Sequence, residues 1–457
     1  MTVNPSIFRE YDIRGVAGRD YDESFVAGLG RAYAVKLRAE GIERAVVARD
    51  CRLSSPVYHQ TLKTVLRESG IDVVDIGQCP TPLMYFAVHH LDLMAGVQVT
   101  GSHNPPDHNG FKICIGKTTI YGEAIQELRA IMESGQRVGG SGSEEAYPII
   151  PAYQGYVAEK LGRCGEGLKV IVDSGNGTGG AVAPELYREL GCDVTDLFSE
   201  PDGSFPNHHP DPAVLENVED LSRTVTADKA DFGIAFDGDA DRIGVVDEAG
   251  QVVWGDELLV LFARDVLAKN PGATVVSEVK CSQRLYDDIE ARGGQAVMWK
   301  AGHSLLKAKM RETGALLGGE MSGHLFFGDR YFGFDDAIYA GARMIELVAA
   351  SGSSVRALLS DLPECHATPE IRVDCPDEIK FELADRACER FRELGYDIVD
   401  IDGVRVKFDD GWGLVRASNT QPVLVMRFEA AEASSLERYR SLVEEELASL
   451  RSELERG

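Results

Sequence analysis

The sequence predicts an α/β protein built from three repeated domains with mixed, mainly parallel sheets and a smaller C-terminal α+β domain, arranged around a central cleft. Three observations lead there. An apolar strand, a polar loop, a helical stretch, a glycine and a second apolar strand recur three times. Each copy then adds a further apolar strand that runs into an unusual loop. Beyond about residue 363 the pattern gives way to short strands and turns. Strands that alternate with helical segments at this spacing make βαβ units whose sheets are covered on both faces.

The first copy runs from "RAVVARDCRLSS" to "SGIDVVDIG", the second from "LKVIVDSGNGTGG" to "LGCDVTDLF", and the third from "GATVVSEVKCSQR" to "RGGQAVMWK". The extra strands and their loops are "AGVQVTGSHNPP", "FGIAFDGDADR" and "GALLGGEMSGH". Ligands of open α/β sheets gather outside the carboxyl ends of strands. Three such loops at matching places therefore point to one shared site between domains. The fourth segment holds strands in "EIRVDCPDE", "IVDIDGVRVKF", "GWGLVRAS" and "PVLVMRFEA", with helices in "KFELADRACERFRELG" and the charged C-terminal stretch. The expected domains are 1–150, 151–251, 252–363 and 364–457, the first boundary marked by the Gly/Ser/Pro-rich "SGQRVGGSGSEEAYPIIP". Interfaces between domains of one chain are usually modest, so the fourth domain is expected to move.

Composition narrows the function. Lysine and arginine number 47 against 74 acidic residues, a formal charge of −27 that repels nucleic acid and anionic membranes. An anionic substrate must then meet local basic clusters. The nine cysteines show no CxxC spacing, and "MTVNPSIFREYDIRG" has no basic start followed by an apolar core. Reduced thiols, no secretion signal and a cytoplasmic location are the expectation. No apolar run approaches the ~20 residues of a membrane span.

The loops carry the chemistry. In "TGSHNPPDHNGFK", Pro105 and Pro106 fix φ and remove donors, so a stiff, surface-exposed segment is expected to present Ser102 at a strand end. A rigidly held hydroxyl suits nucleophilic or phosphoryl-carrier chemistry. "DGDADR" sets Asp237, Asp239 and Asp241 two residues apart, a concentration of hard oxygen ligands that a divalent cation, Mg²⁺ or Ca²⁺, would offset. An EF-hand is excluded, because Arg242 stands where the sharp turn needs glycine and strand-like segments flank the motif. "GEMSGH" offers the Glu320 carboxylate, the Ser322 hydroxyl and the His324 imidazole, either for sugar hydroxyls or as a structural turn. "RASNTQP" places Arg416 beside Ser418, Asn419 and Thr420, which reads as a phosphate cradle or as an Asx or Ser/Thr turn.

Together, in this order, the four loops resemble the α-D-phosphohexomutase superfamily, in its bacterial phosphomannomutase/phosphoglucomutase branch, over essentially the whole chain. The resemblance implies that Ser102 carries the phosphoryl group and that Asp237, Asp239 and Asp241 bind one Mg²⁺ with an oxygen on Ser102. It further implies that Glu320, Met321, Ser322, Gly323 and His324 recognise the sugar, while Arg416, Ala417, Ser418, Asn419 and Thr420 hold the non-reacting phosphate. Tyr11, Arg14, Lys112, Arg242, Lys280 and His303 match positions lining the family's cleft, with Lys112 or His303 as acid or base. The implied reaction interconverts hexose 1- and 6-phosphates through a hexose 1,6-bisphosphate, which also serves as activator. The implied partners are phosphosugars, bound by a monomer. Phosphoglucosamine mutases usually have Gln where Met321 stands and Gly where Asn419 stands, so these residues favour the mannose/glucose branch. A phosphoglucosamine mutase and a metal-dependent phosphatase using the same serine are the enzyme alternatives, and a non-catalytic sugar-phosphate sensor is the third.

Overall fold

The computed structural model describes residues 3–419 and 421–456. Its first three sheets share one topology. Arg44–Arg49 lies between parallel neighbours Asp72–Gln78 and Ala95–Val99, and His108–Ile115 returns antiparallel beside the latter. Lys169–Asp173, Asp193–Leu197, Phe232–Phe236 and Ile243–Val246 repeat the arrangement. So do Thr274–Glu278, Gln295–Trp299, Leu317–Gly319 and Leu325–Phe327. All three unusual loops thus sit at the same reversal, where the last parallel strand turns back into an antiparallel one. The expected three-fold repeat with a distinct fourth unit is what the chain forms.

Local sequence explains these elements. Ala95–Val99 and Phe232–Phe236 are buried along their whole length, hence their apolar runs, broken only by Gln98, whose amide donates to the Cys79 carbonyl at 3.0 Å. Helix Glu23–Ala39 starts at Asp22, whose carboxylate accepts from the backbone N–H groups of Ser24 and Phe25 at 3.0 and 3.1 Å. Three short strands fall outside the repeat read from the sequence. Ile13–Val16 pairs with His108–Ile115, Val252–Val253 pairs with Ile243–Val246, and Glu144–Ala146, within the stretch that marks the boundary near 150, joins Asp72–Gln78 in parallel.

One hydrophobic core runs through the first three domains. Helix Thr81–His90 is its centre: Phe86 is fully buried and meets the rings of Tyr153 and Tyr156 edge-on, each at 5.3 Å. The fourth domain has a core of its own, where helices Asp377–Glu393 and Ala433–Arg456 cover an antiparallel sheet. Its junction with the third domain combines apolar and polar contacts. Trp412 and Leu414 pack on Val279. Buried Arg405 donates to the carbonyls of Val279 and Cys281 at 2.6 and 2.8 Å, and Arg427 pairs with Asp256 at 2.9 Å. No helix among the described residues is long and apolar enough to cross a membrane, and the nine cysteines are free thiols.

Phe86→Ala opens a cavity where three domains meet, so it should cost about 3–5 kcal/mol. Denaturant unfolding should show that loss in the transition of the first three domains; a change confined to a local helix signal would contradict a shared core.

Candidate active site

The three repeat loops converge on one buried cluster. Asp237, Asp239 and Asp241 are fully buried, with one oxygen from each lying within 4.8 Å of the others. Most of their side-chain partners come from the first domain. Ser102 Oγ donates to Asp237 Oδ2 at 2.7 Å. Thr81 and Thr100 hydroxyls donate to Asp239 Oδ2 at 2.5 and 3.1 Å. Lys112 Nζ donates to Asp239 Oδ2 at 2.8 Å and also to Asp241 Oδ2. Asp239 Oδ1 and Asp241 Oδ1 are buried without a hydrogen-bond donor among the described residues. Two orphan carboxylate oxygens beside a serine hydroxyl are the donor set of a hard divalent cation with open positions.

Electrostatics reinforces that reading. Burial, Asp239 and Asp241 push the Asp237 carboxyl well above its usual range. Burial also acts on Asp239, but Lys112 and the Thr81 hydroxyl outweigh it and hold that carboxyl below its usual range. Lys112 keeps its proton more firmly than a free lysine, because Asp239, Asp241 and Asp237 overcome the opposing effect of burial.

The loop is at the surface at Pro105, Pro106 and Asp107, as expected, but Ser102 itself is 2% exposed, tucked under the second domain's aspartate turn. Its φ of +50° is left-handed and strained for a non-glycine residue. The brace is Arg52, a residue that no motif flagged. Its guanidinium is fully buried and donates to the carbonyls of Ser102, Asn104, Pro105 and His108 at 2.7, 2.6, 2.5 and 2.9 Å. Asp50 lies 3.2 Å from Arg52 and accepts from the Gly101 N–H at 3.1 Å. Gly238 completes the closure, since a Cβ there would lie 2.5 Å from the Ser102 carbonyl oxygen.

The third domain adds imidazoles. Arg242 Nε donates to His324 Nε2 at 3.0 Å. That assigns the His324 proton to Nδ1, which lies 3.4 Å from Asp335 Oδ2. His303 opens the helix His303–Thr313, stacks on His324 at 5.3 Å and sets Nδ1 3.2 Å from the same Asp335 oxygen. Burial, with Lys307 second, lowers the pKa of His303. His103, next to Ser102, has Nδ1 3.2 Å from its Oγ, and burial, Arg242 and Arg14 push its imidazole well below the usual range. Arg14 itself pairs with Asp12 at 2.5 Å.

A second pole lies where the third and fourth domains meet. Lys280 pairs with Glu370 at 3.0 Å and lies 3.3 Å from Glu278. Burial pushes Glu278 up to about 7 against the pull of Lys280, and its Oε1 accepts from the Met321 N–H at 3.1 Å. Glu320 accepts from the Gly302 N–H at 2.7 Å. Gly323 has φ +92°, and a Cβ there would lie 2.3 Å from the Ile243 carbonyl oxygen, so only glycine fits. Arg416 Nε donates to Asp402 at 2.9 Å, and Asp402 also accepts from the Ala301 N–H at 3.0 Å. Asn419 donates to the Tyr11 hydroxyl at 2.7 Å, which donates to the Ala301 carbonyl at 2.7 Å. Ser418 Oγ accepts from the Gln421 N–H at 3.1 Å, so the loop is also a Ser/Thr turn. Ala417 is buried at its strand end, Ser322 is half-buried, and Thr420 lies outside the described residues.

Four family profiles match in order: phosphoglucomutase/phosphomannomutase alpha/beta/alpha domain I over residues 5–138, domain II over 153–250, domain III over 254–366 and the C-terminal domain over 370–446. The chain belongs to the phosphoglucomutase/phosphomannomutase family. The phosphomannomutase/phosphoglucomutase of Pseudomonas aeruginosa is 46% identical over 454 residues, covering 99% of this chain and 98% of the relative. A phosphoglucomutase of Neisseria gonorrhoeae is 45% identical over 96% of this chain and 95% of its own length. A crystal structure of a phosphoglucomutase/phosphomannomutase family protein from Burkholderia thailandensis superposes with a TM-score of 0.92 at 43% identity, covering 98% of both chains. Members of this family are phosphotransferases, and the aspartate triad has the geometry to hold a metal ion.

Within this family site, Arg52→Met strips the carbonyls of residues 101–108 of their common donor, at a cost of about 1–3 kcal/mol for the buried groups left unpaired. Hydrogen–deuterium exchange of that loop should accelerate while the sheets stay protected; unchanged protection of residues 101–108 would contradict the bracing role.

Proposed function

We propose that the chain interconverts the 1- and 6-phosphates of glucose and mannose, with Ser102 as phosphoryl carrier. The observation that carries this is the Ser102 hydroxyl held 2.7 Å from Asp237 within the aspartate triad, out of bulk water. With domain limits near 150, 251 and 363, each domain contributes one loop to the cleft. Mg²⁺ is the proposed ion, held by Asp237, Asp239, Asp241 and an oxygen on Ser102. It would neutralise charge on the transferring phosphoryl group.

The chain's own residues divide the remaining work. A sugar hydroxyl attacks phosphoserine 102; the bond from phosphorus to Oγ breaks, and a hexose 1,6-bisphosphate forms. The attacking hydroxyl gives up its proton to His303, which burial keeps neutral. Lys112, held charged by Asp239 and Asp241, supplies positive charge beside the serine oxygen as it leaves phosphorus. Arg14 and Arg242 add charge stabilisation at the transferring group. At the far pole Arg416, Ala417, Ser418, Asn419 and Thr420 take the non-reacting phosphate, with Tyr11 and Lys280 beside them. Glu320, Met321, Ser322, Gly323 and His324 take the sugar hydroxyls. Turning the bisphosphate end for end presents its other phosphate to Ser102, and transfer back releases the isomeric monophosphate. The same bisphosphate rephosphorylates any enzyme that has lost its phosphate.

Met321 and Asn419 favour glucose and mannose over glucosamine. Burial of Ser102 favours sugar over water as acceptor and so disfavours a phosphatase. One chain supplies every loop of the site, which supports a monomer, and the free thiols support a reducing cytoplasm.

A coupled assay with glucose 1-phosphate and mannose 1-phosphate, Mg²⁺ and catalytic bisphosphate tests the reaction. Ser102→Ala should lower turnover by several orders of magnitude with the fold intact, since Ala keeps the Cβ already present at that strained φ; wild-type turnover in this variant would refute the carrier role. Arg416→Ala should raise KM, lower kcat and increase leakage of the bisphosphate, because the fourth domain, with its own core, closes on phosphate through that residue. Small-angle scattering should show a ligand-dependent fall in radius of gyration for the wild type only. An identical radius with and without ligand in the wild type would remove closure from the mechanism.

A further inference from the structure

Away from the cleft, the first and third domains enclose a cavity of about 310 Å³. Its lining is unusual for a chain of charge −27: Lys117, Lys307 and Arg311 face it, with no carboxylate among the lining residues. Lys117 and Lys307 each have an acidic partner, exposed Asp92 and buried Asp335. Arg311 hydrogen-bonds Thr118 at 2.9 Å and forms no ion pair with a described residue. The Tyr85 side chain, 3% exposed, also lines the cavity, and its hydroxyl has no hydrogen-bond partner among the described residues. A buried hydroxyl is rarely left so.

The rest of the wall is a shelf of rings. Phe332 is 37% exposed and stacks on His89 at 4.7 Å, Phe334 lies parallel to Phe332 at 6.1 Å, and Tyr85 packs on Phe334 at 5.5 Å. Burial and Lys117 hold His89 down at about 4, so it offers a neutral aromatic face at pH 7. A cationic mouth, an unmet hydroxyl and the exposed Phe332 ring ask for one kind of guest, a planar ring that carries an anion.

We propose that this cavity is a second small-molecule site that takes a nucleoside monophosphate, its base against Phe332 and its phosphate between Arg311, Lys307 and the Tyr85 hydroxyl. The site has a route to the chemistry. Lys307 Nζ holds Asp335 Oδ1 at 2.8 Å, and Asp335 Oδ2 lies 3.2 Å from His303 Nδ1 and 3.4 Å from His324 Nδ1. Lys307 and Arg311 also stand on the helix that His303 opens. A phosphate that draws Lys307 outward loosens its hold on Asp335 and so changes the setting of both imidazoles.

Calorimetry on the full chain with adenosine 5′-monophosphate tests the site, and the binding arms need no turnover, so they stand apart from the proposed activity. One molecule should bind per chain with or without saturating glucose 1-phosphate. Adenosine alone and inorganic phosphate alone should each bind at least tenfold more weakly. Arg311→Glu and Phe332→Ala should each weaken binding at least tenfold while leaving activity without the nucleotide within twofold of wild type. Nucleotide should shift wild-type kcat at saturating substrate at least twofold and leave Arg311→Glu unaffected. Absence of binding, displacement by glucose 1-phosphate, or unchanged affinity in both variants would overturn the site; binding with no change in kcat would overturn its link to His303.

Discussion

The structure depends on one electrostatic constraint: the carboxylates of Asp237, Asp239 and Asp241 are buried together on a single turn. Two unit charges 4 Å apart repel by about 4 kcal/mol at the effective dielectric constant typical near a protein surface. The second domain cannot hold such a turn alone. Its compensation arrives from the first domain as the ammonium of Lys112 and the hydroxyls of Thr81, Thr100 and Ser102, and the third domain brings His324 to within 3.7 Å of Asp241. The same contacts that make the charge tolerable fix the three domains relative to one another. One lysine against these aspartates still leaves negative charge over, and the two orphan oxygens show where a cation would reside.

The repeat explains how such a site is assembled. Each copy offers the same strand reversal, and the shared core behind Phe86 holds the three reversals face to face. Only the loop chemistry differs: a serine braced from beneath by Arg52, a turn of aspartates, and a glycine-bounded Glu-Met-Ser. The fourth domain breaks the symmetry, with a core of its own and a junction through Arg405, Arg427 and Trp412. A fourth body with a core of its own suits the proposed reaction, in which an intermediate must turn around without escaping.

The loops were legible because their composition is abnormal at any scale: three aspartates in five residues, or a serine followed closely by two prolines, stand out without a structure. Residues whose importance lies in a partner far along the chain did not stand out. Arg52 acts on carbonyls some fifty residues away, Asp335 unites His303 and His324 from one residue in a loop, and Asp402 ties Arg416 to Ala301 across a domain boundary. The burial of Ser102 was illegible for a related reason, since its hydroxyl meets Asp237, which lies 135 positions further along the chain. Edge strand Glu144–Ala146 escaped because glycine and serine precede it and all three of its residues are exposed.

The central claim is that a phosphoryl group on Ser102 passes to sugar within a cleft that keeps water out. Enzyme labelled with radioactive phosphate at Ser102 and mixed with unlabelled glucose 6-phosphate in a single turnover tests it most directly. The label should appear in hexose bisphosphate and then hexose monophosphate, with little as inorganic phosphate. Label released as inorganic phosphate at the rate of turnover would contradict the account and make the protein a phosphatase.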